Sequence, residues 1–232
     1  MYTHNTKKQI PYSNSDGMLI AIEGIDGAGK SSLARYLHDL LQEQFPVILT
    51  KEPGGSLLGA YLRTLIHDQK IPLASKTEFL LFAADRAQHM AETVLPALRE
   101  NKIVISDRMT DSSLVYQGYG RGISLDMIYR INEWIMEGRR ADITFYLKIS
   151  PDLAQERLKK RGQNLSVFEA NTDFVEKVRQ GFEHLFANRT DVIPLDASQD
   201  MHTVEQQAVE ALYLWIDRYL STPHTSSLDA LK

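Results

Sequence analysis

The sequence predicts an α/β protein: a three-layer, doubly wound parallel sheet of about five strands flanked by helices. Three observations predict it. Short, nearly unbroken runs of Val, Ile and Leu recur along the chain, as strands buried on both faces do. Segments of helical length and period lie between them. A glycine-rich loop joins the first run to the first helical segment.

The runs are Met18–Ile22, Val47–Leu49, Ile103–Ile105, Ile143–Ile149 and Val192–Leu195. Leu33, Leu37, Leu40 and Leu41 recur at i, i+4, i+7 and i+8, which puts one apolar stripe on the first helix. Ser75 with Glu78 forms a capping box that opens a long helix, and Pro96 kinks or ends it. Ser124 caps the next helix, with Gly138 just past its end. Ser150-Pro151 opens another, the cap first and proline at the first helical position. Thr203 to Tyr219 is amphipathic. The expected organisation is a polar extension over 1–16, one domain over 17–221 with a lid around 157–172, and a loose tail over 222–232.

Composition narrows the classes. The 232 residues are enough for one sizeable α/β core and short for two full domains. A net charge of −4 argues against a basic surface for polymeric nucleic acid, while leaving room for a local basic pocket. The chain has no cysteine, which excludes disulfides and thiolate metal sites and fits a reducing cytoplasm. No apolar run reaches the roughly 18 residues that cross a bilayer. Residues 1–16 are polar, with no apolar stretch after their lysines, and read as an extension, not a signal peptide.

The strongest motif is Gly24-Ile25-Asp26-Gly27-Ala28-Gly29-Lys30-Ser31, followed by Ser32. It matches G-x-x-x-x-G-K-[ST], with a strand before it and a helix after it. Its glycines let backbone N–H groups turn inward around phosphate oxygens, and the helix N-terminus adds positive potential. Lys30 is expected on the β/γ-phosphates and the Ser31 hydroxyl on Mg²⁺. The loop predicts ATP or GTP binding and leaves the reaction open.

Three further features each admit two readings. Ile103–Ile105 runs into Asp107 and Arg108, at the strand end where open parallel sheets bind ligands. They hold metal and clamp a transferring phosphoryl group, or cap the next helix and face solvent. Arg157 and Arg161 share a helix face with Lys160 close by, either as a mobile basic lid or as a solvated helix end. Phe82 and Arg86, one turn apart, either stack on and hydrogen-bond to a nucleobase, or pack in the core and pair with a carboxylate.

Read together, these segments resemble bacterial thymidylate kinases. The resemblance rests on the GIDGAGKSS loop, Lys51-Glu52-Pro53-Gly54-Gly55, Phe82-Ala83-Ala84-Asp85-Arg86-Ala87-Gln88, and Asp107-Arg108 followed by Ser112-Ser113-Leu114-Val115-Tyr116-Gln117-Gly118 and Gly120-Arg121-Gly122. It implies ATP as donor, thymidine monophosphate as acceptor, Mg²⁺, and usually a homodimer. It also implies roles. Phe82 stacks on thymine, Arg86 donates to a thymine carbonyl, and Ser113 and Gln117 complete the contacts around the base. Arg63 and Arg108 hold the monophosphate, beside Pro53. Asp26 faces the sugar 3′-hydroxyl, Tyr116 crowds its 2′ side, and Glu52 and Asp107 sit near the metal.

Two positions depart from the family pattern. Lys51 replaces an arginine, so a planar fork becomes a point charge. Relatives with glycine at the position of Gly27 usually place a lid arginine after the Arg-Gly pair, whereas Arg161-Gly162 is followed by six residues without a basic one. Arg157, Lys160 or Arg161 then carry the lid charge. The rivals are another nucleotide or deoxynucleoside kinase on the same scaffold, the latter with Glu52 as base, and a nucleotide-dependent switch. The switch lacks its guanine-reading N-K-x-D: the one Asn-Lys pair, Asn101-Lys102, precedes a strand.

Overall fold

The five apolar runs form five parallel strands: β1 (Met18–Glu23), β2 (Val47–Lys51), β3 (Ile103–Asp107), β4 (Ile143–Lys148) and β5 (Val192–Asp196), in the order β2-β3-β1-β4-β5. The computed structural model describes residues 17–67, 72–162 and 171–221. The expected extension and tail, and half of the expected lid (163–170), lie outside them.

The central strand β1 is buried along its whole length. It pairs with β3 from Met18↔Ile103 to Ile22↔Asp107, and with β4 from Ile20↔Ile143 to Glu23↔Tyr146. Because side chains alternate, the strand feeds two cores. Met18, Ile20 and Ile22 join a cluster with Leu33, Leu37, Phe182 and Leu212, while Leu19 and Ala21 join one with Phe79, Val94, Leu98 and Ile128. The helices on the first face are α1 (Lys30–Leu41), α7 (Pro151–Lys160), α8 (Thr172–Phe186) and α9 (Met201–Ser221). On the second face lie α3 (Ser75–His89), α4 (Leu95–Arg99) and α6 (Leu125–Met136), with α2 (Leu57–His67) packed on α3. These are the three layers that the alternation of strand and helix predicts.

All five strands end on a charged residue: Glu23, Lys51, Asp107, Lys148 and Asp196. Four of the five apolar runs stop short of these ends, while the Ile143–Ile149 run passes one residue beyond Lys148; the charged residues stand at the carboxyl edge, where open parallel sheets bind ligands.

The helix signals are met unevenly. Ser150 accepts from the Leu153 N–H at 3.4 Å with Pro151 behind it, and Glu137 and Gly138, both left-handed, end α6. Ser124 holds its N-cap position without a side-chain bond. The capping box at Ser75 does not form: Ala74 is the N-cap residue, and Glu78 is buried and turned toward Gln117 and Arg121. Pro96 does not end its helix either. A π turn over Met90–Val94 joins α3 to α4, so the rod reaches Arg99 with the proline in the first turn of α4, directly after the π turn.

Candidate active site

The phosphate loop spans the gap between β1 and α1. Gly24, Gly27 and Gly29 all take positive φ. Gly27 is required twice over: its φ is +85°, and a Cβ there would lie 2.4 Å from the Ala154 carbonyl of α7. Ile25 and Ala28 pack their side chains into the core, which pins the loop, while Ser32 is exposed on α1. Lys30 is folded back, its Nζ 2.8 Å from the Ile25 carbonyl and 3.7 Å from Asp26. Burial, reinforced by neighbouring Arg108, lowers its pKa.

Arg108 stands at φ +75°, just past the end of β3. Its guanidinium is gripped from four sides, by the Gly24 carbonyl (3.1 Å), Ser112 Oγ (3.0 Å), Asp26 Oδ1 (2.5 Å) and Tyr116 OH (3.1 Å). The Tyr116 hydroxyl donates to Asp26 Oδ2 at 3.2 Å, which closes a three-residue ring. Burial raises the Asp26 carboxyl, but Arg108 and Lys30 more than reverse this and hold it far below the usual carboxylate range. Asp26 in turn raises Arg108 against its own burial. Beneath the ring, Glu23 accepts from the Met109 N–H (2.8 Å) and the Ser112 hydroxyl (2.6 Å). Burial, with Asp111 adding to it, pushes its carboxyl up to about 7. Ser31 Oγ donates to Asp107 Oδ2 at 2.5 Å.

A second polar cluster lies between α3 and the π turn over Leu114–Gly120, which follows the short helix α5 (Thr110–Ser113). Arg86 is buried and donates to Glu52 Oε2 (2.7 Å), Ser113 Oγ (3.0 Å), Asn132 Oδ1 (2.8 Å) and the Met109 carbonyl (3.2 Å). Four of its five N–H groups are thereby engaged among the described residues. Glu52 accepts from His89 at 3.0 Å as well, and His89 meets Thr50 at 2.6 Å. Glu52, expected near the metal, is instead buried as the counter-ion of Arg86: both its oxygens are engaged there. Phe82, on the same stripe of α3 as Arg86, is half-buried and belongs to neither hydrophobic cluster. The carboxylate partner foreseen for Arg86 is therefore present, while the core packing foreseen for Phe82 is not.

The turn after β2 contains a cis Glu52–Pro53 bond. Arg63 of α2 donates to the Pro53 carbonyl at 3.1 Å. Arg63 and Lys51 both border Gly54, with side-chain carbons 3.4 and 3.7 Å from where its Cβ would stand. Two cations thus rim this turn.

One sheet edge therefore gathers a phosphate loop, a caged arginine and a half-open aromatic beside a buried guanidinium. The family model described as thymidylate kinase matches residues 22–208. The chain belongs to the thymidylate kinase family. Curated thymidylate kinases from Halothermothrix orenii and Prochlorococcus marinus (strain MIT 9301) are 39% and 42% identical to it. These alignments span 82% and 84% of this chain and 94% and 95% of the relatives. The crystal structure of thymidylate kinase from Ehrlichia chaffeensis superposes with a TM-score of 0.72 at 30% identity, over 84% of this chain and 98% of that one. Membership of this family makes the chain a phosphotransferase, and neither the deoxynucleoside kinase nor the switch is supported. No helix among the described residues is long and apolar enough to cross a membrane.

In this thymidylate kinase fold the cations expected on a lid divide. Lys160 pairs with Glu156 at 2.6 Å, Arg157 reaches the Gln199 carbonyl at 3.4 Å, and Arg161 is exposed at the end of α7. Sequence reasoning passed over Glu23, Asn132 and His89. Two of them leave a trace: Glu23 is a charge continuing an apolar strand, and Asn132 lies on the Ile128–Ile135 core stripe of α6. A polar residue on such a stripe implies a buried partner.

Proposed function

We propose that this chain performs its family's reaction, ATP-dependent phosphorylation of thymidine monophosphate to the diphosphate, at the edge formed by the ends of β1, β2 and β3. The observation that carries this reading is Arg108, held by both the phosphate loop (Gly24, Asp26) and the acceptor side (Ser112, Tyr116).

The acceptor is a phosphate monoester whose second pKa is about 6, so it is largely dianionic at neutral pH and needs no general base. The difficulty is bringing two polyanions together. Lys30 exchanges the Ile25 carbonyl for β/γ-phosphate oxygens. Arg108 exchanges part of its contact with Asp26 for the phosphoryl group, and an arginine so placed contributes about 10³–10⁵ in rate. Arg157 or Arg161 supplies the lid charge. Arg63 and Lys51 hold the monophosphate at the Glu52–Pro53 turn. Phe82 stacks on thymine, Arg86 offers its remaining N–H to a base carbonyl, and Tyr116 crowds the 2′ position. Ser31 and Asp107 fit Mg²⁺: two hard oxygen donors in contact suit an ion that takes few protein ligands and keeps its remaining positions for phosphate and water. When bound, that ion neutralises phosphate charge.

The reading includes a homodimer, supported by exposed apolar residues on α2, α3 and α6, and a cytoplasmic location, which fits the lack of cysteine. Product analysis with ATP, Mg²⁺ and separate nucleoside monophosphates tests it. Diphosphate is expected from thymidine monophosphate and little from purine nucleotides; equal turnover of purines would overturn it.

A further inference from the structure

Glu78 and Gln117 form a buried pair, joined from the surface by Arg121, that the phosphoryl-transfer machinery does not use. Glu78 lies one turn before Phe82 on α3, and Arg86 one turn after it. The aromatic ring is thus flanked by a carboxylate on one side and a guanidinium on the other. Two rungs join α3 to the segment opposite: Arg86 to Ser113, and Glu78 to Gln117, the latter with Gln117 Nε2 3.0 Å from Glu78 Oε1. The other Glu78 oxygen takes Arg121 at 3.0 Å. Glu78 and Gln117 are both buried.

Hydrogen-bond polarity makes this group informative. A carboxylate paired with a guanidinium only accepts, whereas a carboxamide has one accepting and one donating end. Glu78 therefore fixes which end of Gln117 it holds: the NH₂ faces Glu78 and the carbonyl oxygen is left as an acceptor. Arg86, on the far side of Phe82, offers only donors. The pocket thus presents a fixed donor and a fixed acceptor. Thymine and uracil carry an O4 acceptor next to an N3–H donor, the complement of that pair. Cytosine carries the reverse, an N4 amine next to an N3 acceptor.

We infer that Glu78, braced by Arg121, is a positioning residue that sets the polarity of Gln117 and thereby makes the base pocket select a thymine-type edge over a cytosine-type edge. This rests on the proposal that Phe82, Arg86 and Gln117 face the base. Glutamine at position 78 either accepts from or donates to Gln117, so Glu78→Gln leaves the rung in place and removes its fixed direction.

The test is steady-state kinetics of Glu78→Gln with three acceptors. The ratio of kcat/KM for thymidine monophosphate to that for deoxycytidine monophosphate should fall at least about tenfold, because a mismatched buried polar group carries a penalty of that order. The change should lie mainly in KM for the acceptor. The thymidine-to-deoxyuridine ratio, which reads only the 5-methyl group, should hold within about twofold. Glu78→Asp, which remains acceptor-only, should keep the cytosine discrimination even where its overall rate drops. A parallel loss on all three acceptors would make Glu78 a scaffold residue and overturn the inference. Gln117→Leu separates the two layers. Unchanged acceptor KM in that variant would sink the base-pocket reading itself, whereas a raised KM there beside an unchanged ratio in Glu78→Gln would sink only the polarity role. Should Glu78→Gln fail to melt cooperatively, the wild-type protein still decides. Its Gln117 side-chain amide protons, assigned by their loss in Gln117→Leu, should exchange at least about tenfold more slowly than those of an exposed glutamine. Exchange at the exposed rate would overturn the inference.

Discussion

A single buried carboxylate, Glu23, sets the stage for Arg108. It is the last residue of β1 and accepts the Met109 N–H and the Ser112 hydroxyl, and Ser112 in turn accepts from Arg108. The Glu23 side chain thus ties the turn that carries Arg108 to the sheet, beside the bond from the Arg108 N–H to the Ile22 carbonyl. Burial and Asp111 raise the Glu23 carboxyl from an ordinary 4.5 to about 7. The folded state therefore binds this proton more tightly than the unfolded chain does. The stabilisation from that proton is complete below about pH 4.5 and is lost as pH rises through about 7. Asp85 and Asp111 are raised by burial as well, so the informative quantity is the difference between variants. Glu23→Gln should flatten the fall in stability between these two pH values relative to wild type. Urea midpoints measured across that window check this, and a variant whose pH profile runs parallel to wild type would refute it.

At the scale of elements, local sequence signals succeed where nothing stronger competes for the same side chain. Asn171 accepts from the Phe174 N–H at 3.0 Å and opens α8, while Ser75 makes no cap bond because α3 begins one residue earlier than the S-x-x-E pattern implies. Asn171→Ala should therefore cost about 1 kcal/mol of stability and Ser75→Ala a few tenths at most, read from denaturant midpoints. Equal losses would contradict the cap assignments. The same competition explains what was legible. The five strands, the phosphate loop and the Ser150-Pro151 start could be read because each depends on a few adjacent residues. The capping box was misread because Glu78 is recruited by Gln117 and Arg121, 39 and 43 positions away. The ion pair of Glu52 was missed for the same reason: its partners Arg86 and His89 lie 34 and 37 positions on, on α3. Periodicity reports which face of a helix is apolar. It does not report which distant charge arrives opposite a polar residue on that face.

For the whole molecule, the open question is what covers the outer flank of the second helical layer. α2 exposes Leu57 (83%) and Tyr61 (78%) with Leu58 and Leu65 beside them, α3 exposes Leu80, and α6 exposes Met127 and Trp134 (80%). α2 packs on α3 and α3 on α6, so these exposed residues belong to neighbouring helices. Isolated exposed apolar residues need no explanation, but grouped ones mark an association surface. A second copy of the chain, meeting this flank about a twofold axis, buries the same residues on both sides. Tyr61→Glu combined with Trp134→Glu should therefore convert a dimer to a monomer in light scattering. Both side chains are so exposed that folding should change by no more than about 0.5 kcal/mol each. The geometry adds a functional consequence. α3 carries Leu80 outward and Glu78, Phe82 and Arg86 toward the proposed base pocket, so one helix links the two surfaces. Monomerisation should loosen α3 and raise the KM for the nucleotide acceptor more than that for ATP, whose phosphate loop is anchored to β1 and α1 on the other side of the sheet. A double variant that stays dimeric would remove this flank as the interface. A monomer with unchanged acceptor KM would show that α3 holds its pocket face without help from a partner.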